Sequence, residues 1–180
     1  MKNWIEKEQL EEDILQSLKK DLKIDDFICT LLLQREVDSL KKAQNFFRPD
    51  INLLHDPFLM KDMKKVVEKI QNSKEHRIMI LGDYDVDGTT STAMLYKYFK
   101  IMGYDLLYYI PDRYEEGYGV SEKAIEYAET NKVSLIITVD CGIKAIHPVD
   151  LSNSKNIEVV ICDHHPVSYT HLTLPTICSV

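Results

Sequence analysis

Three acids alternate through Gly82-Asp83-Tyr84-Asp85-Val86-Asp87-Gly88. In an extended segment their carboxylates would point to one side. Like charges packed that closely are costly unless a cation neutralises them. Asp140 ends a later apolar run, and Asp163, His164 and His165 end another. Carboxylates with imidazoles suit Mn²⁺, and less exclusively Mg²⁺ or iron. Two such ions fit phosphoryl hydrolysis, activating water and neutralising charge that develops on the phosphate oxygens. Gly82 and Gly88 permit close backbone approach at both ends of the acid run.

Each feature also has a plainer explanation. The acid run could be a solvated turn or part of a calcium loop, but the twelfth residue from Asp83 is Met94, not the closing glutamate. Asp140 could cap the next helix. Cys141 could be a nucleophile, although an apolar strand end favours packing. Recurrence at three strand ends favours the metal site. A fourth feature is the loop Ile110-Pro111-Asp112-Arg113-Tyr114-Glu115-Glu116-Gly117-Tyr118-Gly119. Arg113 could clamp a phosphate and Tyr114 or Tyr118 could stack on a base. Pairing of Arg113 with Glu115 or Glu116 is the alternative. No Gly-Lys-Ser/Thr phosphate loop, GxGxxG or GxSxG pattern occurs.

The elements that must position these groups follow from apolar periodicity. Residues 1–75 read as a preface of three or four short helices, with Leu10, Ile14, Leu18 and Leu22 at helical spacing. From residue 76 the period changes. Short apolar runs at 77–81, 105–110, 135–139 and 157–162 read as strands. Helical patterns at 89–102 and 122–130, and a weak one at 143–155, separate them. Continuous apolar strands alternating with helices predict a three-layer α/β domain around a parallel sheet. Ligands of such sheets bind beyond the carboxyl ends of the strands. Strand order is not legible, so the meeting of the three polar strand ends is an expectation.

The chain has 180 residues, 44% hydrophobic and 28% charged, with a formal net charge of −7. That excludes a globally basic nucleic-acid wrapper but not a local groove or a metal-bridged phosphate substrate. No run approaches the roughly 18 apolar residues of a membrane span. The start, Met1-Lys2-Asn3-Trp4-Ile5-Glu6, has no signal core. Cys29, Cys141, Cys162 and Cys178 form no CxxC pair, which predicts buried free thiols in a reducing compartment, the cytoplasm.

Together, Gly82 to Ser91, Pro111 to Gly119, Ile137 to Gly142 and Asp163-His164-His165 resemble the DHH phosphoesterase superfamily, most closely its single-stranded-DNA exonucleases. The likeness runs from about Trp4 to Pro166. It implies 5′ to 3′ hydrolysis of phosphodiester bonds in DNA repair and recombination, with two Mn²⁺ or Mg²⁺ ions. It places metal ligands on Asp85, Asp87, Asp140, His164 and His165, with His165 near the scissile phosphate. Asp83 and Asp163 become acids that orient ligands or hold water. Arg113, Tyr114 and Tyr118 become phosphate or DNA contacts, on backbone shaped by Gly82, Gly88, Gly117, Gly119 and Gly142. Single-stranded DNA is the implied partner, with a helicase or single-strand-binding protein in the cell, and no membrane. A phosphoesterase of short oligonucleotides, cyclic dinucleotides or pyrophosphate, and a non-catalytic scaffold module, are the alternatives.

The likeness stops after Pro166. Residues 169–180 contain no Asp, Glu, Lys or Arg. The expected organisation is therefore a helical preface (1–75), an incomplete DHH-type domain (76–166) and a non-native tail (167–180). A further aspartate motif and the DNA-gripping domains of the family are expected beyond this chain, leaving it weak or inactive alone.

Overall fold

The computed structural model describes residues 12–165 and the backbone of Ile177–Ser179. The chain divides into two compact units between His55 and Asp56.

The first unit holds α1 (Glu12–Leu22), α2 (Asp26–Leu33) and α3 (Leu40–Phe47). Its core is Leu18, Cys29, Leu32, Val37 and Ala43. Asp25 caps α2 by accepting from the Phe27 N–H, and Ser39 caps α3 by accepting from Lys42 N–H. The Ser39 cap sets the start of α3 at Leu40.

The second unit contains α4 (Met63–Asn72), β1 (Ile78–Gly82), α5 (Val86–Ile101), β2 (Leu106–Tyr109), α6 (Glu122–Thr130), β3 (Leu135–Val139), α7 (Ile146–Ser154) and β4 (Glu158–Asp163). Ile177–Ser179 adds the short backbone strand β5. All strand pairs are parallel, in the order β2-β1-β3-β4-β5. The remaining residues expected as a foreign tail lie outside those described.

Alternate strand residues face opposite layers. Ile78, Ile80, Leu135, Ile137 and Val160 pack with Val66 of α4 and Phe99 of α5. Met79, Leu81, Ile136, Val159 and Ile161 pack with Ala124, Ile125 and Ala128 of α6 and Val149 of α7. This is the predicted three-layer α/β unit, and β1 and β3 are buried along their whole length. Each buried aliphatic side chain contributes on the order of 2 kcal/mol. Helix α4 belongs here: the sequence groups it with the preface, but Val66, with Met63 and Ile70 packed partly buried beside it, covers the sheet. An amphipathic helix shows which face it buries, not which core it covers.

The order 2-1-3-4-5 reverses direction between β1 and β3, the switch point where doubly wound sheets bind ligands. Here β1 and β3 are neighbours, and β3 and β4 are neighbours. The three polar strand ends therefore lie side by side, as expected.

Candidate metal centre at the strand ends

The acid run is not extended, which corrects the geometry read from its alternation. Helix α5 begins at Val86, three residues before the expected start. Asp85 is its N-cap, accepting from Gly88 N–H at 2.9 Å, and Asp87 lies in the first turn. A helix N-terminus favours both acids there, so capping overrides the alternation. Gly88 lets this turn press onto β1: a Cβ on it would stand 2.5 Å from the Asp83 backbone nitrogen and oxygen. Gly82 faces the same contact from the other side, where a Cβ would meet Gly88 O at 2.5 Å.

Asp83 is buried, 1% exposed, and its Oδ1 has no hydrogen-bond partner. A buried carboxylate oxygen left unpaired is costly. Its position suits a neighbouring cation.

At the end of β3, Asp140 takes the left-handed conformation, φ +61°. Its N–H donates to Cys162 O at 2.9 Å. Burial and the charge of Asp85, with a smaller part from Asp87, raise its carboxyl above the usual range against the opposing pull of both histidines. Asp85 and Asp87 therefore act on Asp140 electrostatically. Ser91, Asp87, Asp140 and His164 line one cavity of about 420 Å³.

At the end of β4, Asp163 is saturated. Its Oδ2 accepts from Ile143 N–H at 2.9 Å. Its Oδ1 accepts from His165 N–H at 3.0 Å and lies 2.7 Å from His165 Nδ1. Burial alone would raise this carboxyl, but the His165 and Ile143 N–H donors outweigh it and hold it below the usual range. A neutral imidazole with its proton on Nδ1, directed at Asp163, would present Nε2 as the free ligand nitrogen. This is the carboxylate–imidazole arrangement that orients metal ligands. His164 Nε2 lies 3.1 Å from Asp140 Oδ1.

One ligand atom each from Asp140, His164 and His165 lies within 4.8 Å of the others. Donors about 2.1–2.3 Å from a common ion stand roughly 3–4.5 Å apart, so a separation within 4.8 Å brings these three near the spacing a shared divalent cation requires. Asp85 and Asp87 stand outside this tight group.

The Arg113 loop is built by Asp112, whose side chain accepts from Tyr114 and Glu115 N–H. Neither glutamate pairs with Arg113. Glu115 binds Lys123, and Glu116 accepts from Tyr109 OH, Asp112 N–H and Ser121 OH. The Arg113 guanidinium instead lies 4.3 Å from the Tyr84 ring centroid. Tyr114 is 93% exposed. Tyr118 uses its hydroxyl on Asp140 O, 3.0 Å, and lies 3.1 Å from His165 Nδ1. Burial and the charge of Asp163 push its phenol far up, so it stays protonated.

Cys141 is fully buried, and burial plus the charges of Asp163, Asp83 and Asp140 push its thiol far up. It is a packing residue, as its strand-end position suggests. Cys162 is exposed, against the expectation of buried thiols.

Sequence reasoning missed two residues. Tyr84 carries Arg113, and its signal was its place inside the acid run. Lys144 lines a cavity of about 290 Å³ with Tyr118, Asp163 and His165. It follows Gly142 in a loop beyond a strand end, where ligand contacts are expected.

The α/β fold of the second unit is shared with known proteins. The chain belongs to the DHH family: the model "DHH family, N-terminal domain" matches residues 77–178, a range that runs past Pro166. It is 38% identical over 157 residues to the single-stranded-DNA-specific exonuclease RecJ of Bacillus subtilis, covering 86% of this chain and 20% of that one. It is 42% identical over 90 residues to RecJ of Thermus thermophilus, covering 49% of this chain and 13% of that one. A crystal structure of exonuclease RecJ bound to manganese superposes with a TM-score of 0.61 at 30% identity, covering 71% of this chain and 32% of that one. The chain thus spans about a fifth of the length of the Bacillus subtilis relative. Among the described residues no helix is long and apolar enough to cross a membrane.

Proposed function

We propose that this chain carries the metal centre of a 5′ to 3′ single-stranded-DNA exonuclease that hydrolyses phosphodiester bonds in DNA repair and recombination. The observation that carries the reading is the convergence of Asp140, His164 and His165 at adjacent strand ends. The similarity to RecJ, one example of which was solved with manganese, supports the substrate and the metal.

Asp140, His164 and His165 would hold a Mn²⁺ or Mg²⁺ ion, with Asp85 and Asp87 facing a second. Bound divalent cations supply water activation and neutralise charge on the phosphate oxygens. Asp163 holds the His165 ring and the turn after β3. Asp83 places a buried carboxyl, one oxygen of which the protein leaves unpaired, at the start of the acid run. Arg113 grips a phosphate from its seat on Tyr84, as a planar fork suited to bidentate contact. Tyr114 offers an exposed ring to a base. The site works in the cytoplasm on strands exposed by a helicase or held by a single-strand-binding protein. The 180 residues alone cleave weakly.

The test grafts residues 12–165 of this chain into Bacillus subtilis RecJ in place of its matching segment and supplies a 5′-phosphorylated single strand. Manganese-dependent release of mononucleotides, abolished by Asp140→Ala, is expected. A folded chimera that releases nothing, or release indifferent to Asp140→Ala, contradicts the proposal. Fast processive digestion by the isolated chain contradicts its expected weakness.

A further inference from the structure

Tyr118 stands between the two strand ends that bear the converging ligands. A carbonyl oxygen only accepts, so the Tyr118 O–H donates to Asp140 O at 3.0 Å. The hydroxyl oxygen then has lone pairs free, and His165 Nδ1 lies 3.1 Å away. Asp163 Oδ1, 2.7 Å from the same nitrogen, requires a proton there. The Tyr118 O–H thus serves the Asp140 carbonyl, and a proton on His165 Nδ1 would be shared by Asp163 and Tyr118. The same hydroxyl lies 3.5 Å from His165 Nε2, so it rests against the ring between its two nitrogens. The Tyr118 and His165 rings also meet edge to face, with centroids 5.7 Å apart.

The backbone delivers Tyr118 to this position. Gly117 and Gly119 take φ +79° and +86°, where a side chain would strain the chain. Nothing lies within 4 Å of a Cβ placed on Gly117, so conformation and not space calls for glycine there. At the other end of the loop, Arg113 rests on Tyr84, which sits between Asp83 and Asp85. The loop is thus tied to the β1–α5 turn at one end and to the ends of β3 and β4 at the other. Asp140 itself depends on outside hold, because a non-glycine residue at φ +61° occupies a sparsely populated region.

We propose that Tyr118 is a positioning residue for the metal centre, its hydroxyl fixing the Asp140 backbone against the His165 ring and tying the Arg113 loop to the ligands. This rests on the metal-dependent reading above and gives Tyr118 a role other than stacking on a base. Its consequence is coupling. A cation on Asp140 and His165 orders the loop that presents Arg113, and by linkage a strand held by Arg113 tightens the cation.

The experiment titrates Mn²⁺ into the 180-residue chain, reading free ion by electron paramagnetic resonance, for wild type and Tyr118→Phe. Phenylalanine keeps the ring contact and removes only the hydroxyl. The expected result is a Kd about tenfold weaker, the size of effect typical of groups that orient ligands. The metal-free melting temperature should stay within about 2 °C, so that the loss is one of positioning and not of folding. Tyr98→Phe, which removes an exposed hydroxyl on α5, should leave Kd unchanged. Equal Kd for wild type and Tyr118→Phe overturns the proposal, as does an equal loss in Tyr98→Phe or a wild type that binds no Mn²⁺ saturably. Tenfold weakening in Tyr118→Phe together with a folded but inactive RecJ chimera would sink the nuclease reading and leave the Tyr118 assignment standing.

Discussion

The end of β4 and the turn between β1 and α5 both offer acids to the same sheet edge, but they are built differently. At β4, both Asp163 oxygens are engaged by N–H donors, and the carboxyl is held below its usual range. At the β1 turn, Asp83 is as deeply buried, yet its Oδ1 has no partner. Asp85 there caps a helix, and its charge helps raise the carboxyl of Asp140. The β4 side is fixed by the protein's own hydrogen bonds. The β1 side gathers acids, one of them with a buried oxygen that no hydrogen bond reaches. The fold thus orients the imidazoles in advance and leaves charge balance to a cation.

Removing Asp163 from the β4 side and removing Asp140, whose carboxyl is raised by burial and by the β1-side acids, should therefore have opposite effects. Asp163→Asn should have the largest effect on stability. It removes the charge that binds His165 and Ile143, and breaking such a buried arrangement costs about 3 kcal/mol. Urea unfolding of the metal-free chain measures it. An unchanged midpoint would erase the distinction between the two sides. The pH dependence follows the same sign. Because the folded carboxyl lies below its ordinary value of 3.8, its contribution is present above that pH and lost as pH falls through the folded value. The acid limb of the wild-type curve should flatten in Asp163→Asn.

Asp140→Asn should move the other way. Its folded carboxyl is raised above 3.8, so its ionisation opposes folding increasingly as pH rises through the folded value. The metal-free variant should be more stable than wild type at pH 7 by about 1 kcal/mol, while its Mn²⁺ affinity collapses. Thermal melts with and without Mn²⁺ separate the two effects. With the ion at about 100 times Kd, wild type should gain about 2.7 kcal/mol and Asp140→Asn almost none.

Asp83→Asn should be milder, because an amide at the same place also needs partners. The metal-free midpoint should hold or rise slightly, and Mn²⁺ affinity should fall about tenfold. A loss of stability like that of Asp163→Asn would show that Asp83 is held as firmly as its counterpart. Smallest for the metal is Arg113→Ala. It should weaken binding of a 5′-phosphorylated oligonucleotide in a fluorescence anisotropy titration and change Mn²⁺ affinity only slightly, through the Tyr118 link.

β1 and β3 were legible because both of their faces are covered, leaving unbroken apolar runs such as Ile78 to Leu81, and β2 and β4, less completely covered, still kept short apolar runs. The polar residues that end them were legible for the same reason. The start of α5 was not, since Asp85-Val86-Asp87 fits an extended alternation and a capped first turn equally well until Gly88 is seen against Asp83. Strand order depends on packing between segments far apart in the chain, so side-by-side strand ends could only be expected. Placing α4 on the sheet is the same kind of fact. Tyr118 was singled out for its ring, but its hydroxyl contacts reach 22 and 47 residues away and leave no local trace.

The central claim is that the ends of β3 and β4 form one divalent-cation site. Its most direct test is a calorimetric titration of Mn²⁺ into the metal-free chain, wild type against Asp140→Ala and His165→Ala. Saturable binding in wild type, weakened at least about a hundredfold by either change, is the predicted result. Binding of equal strength in all three would contradict it.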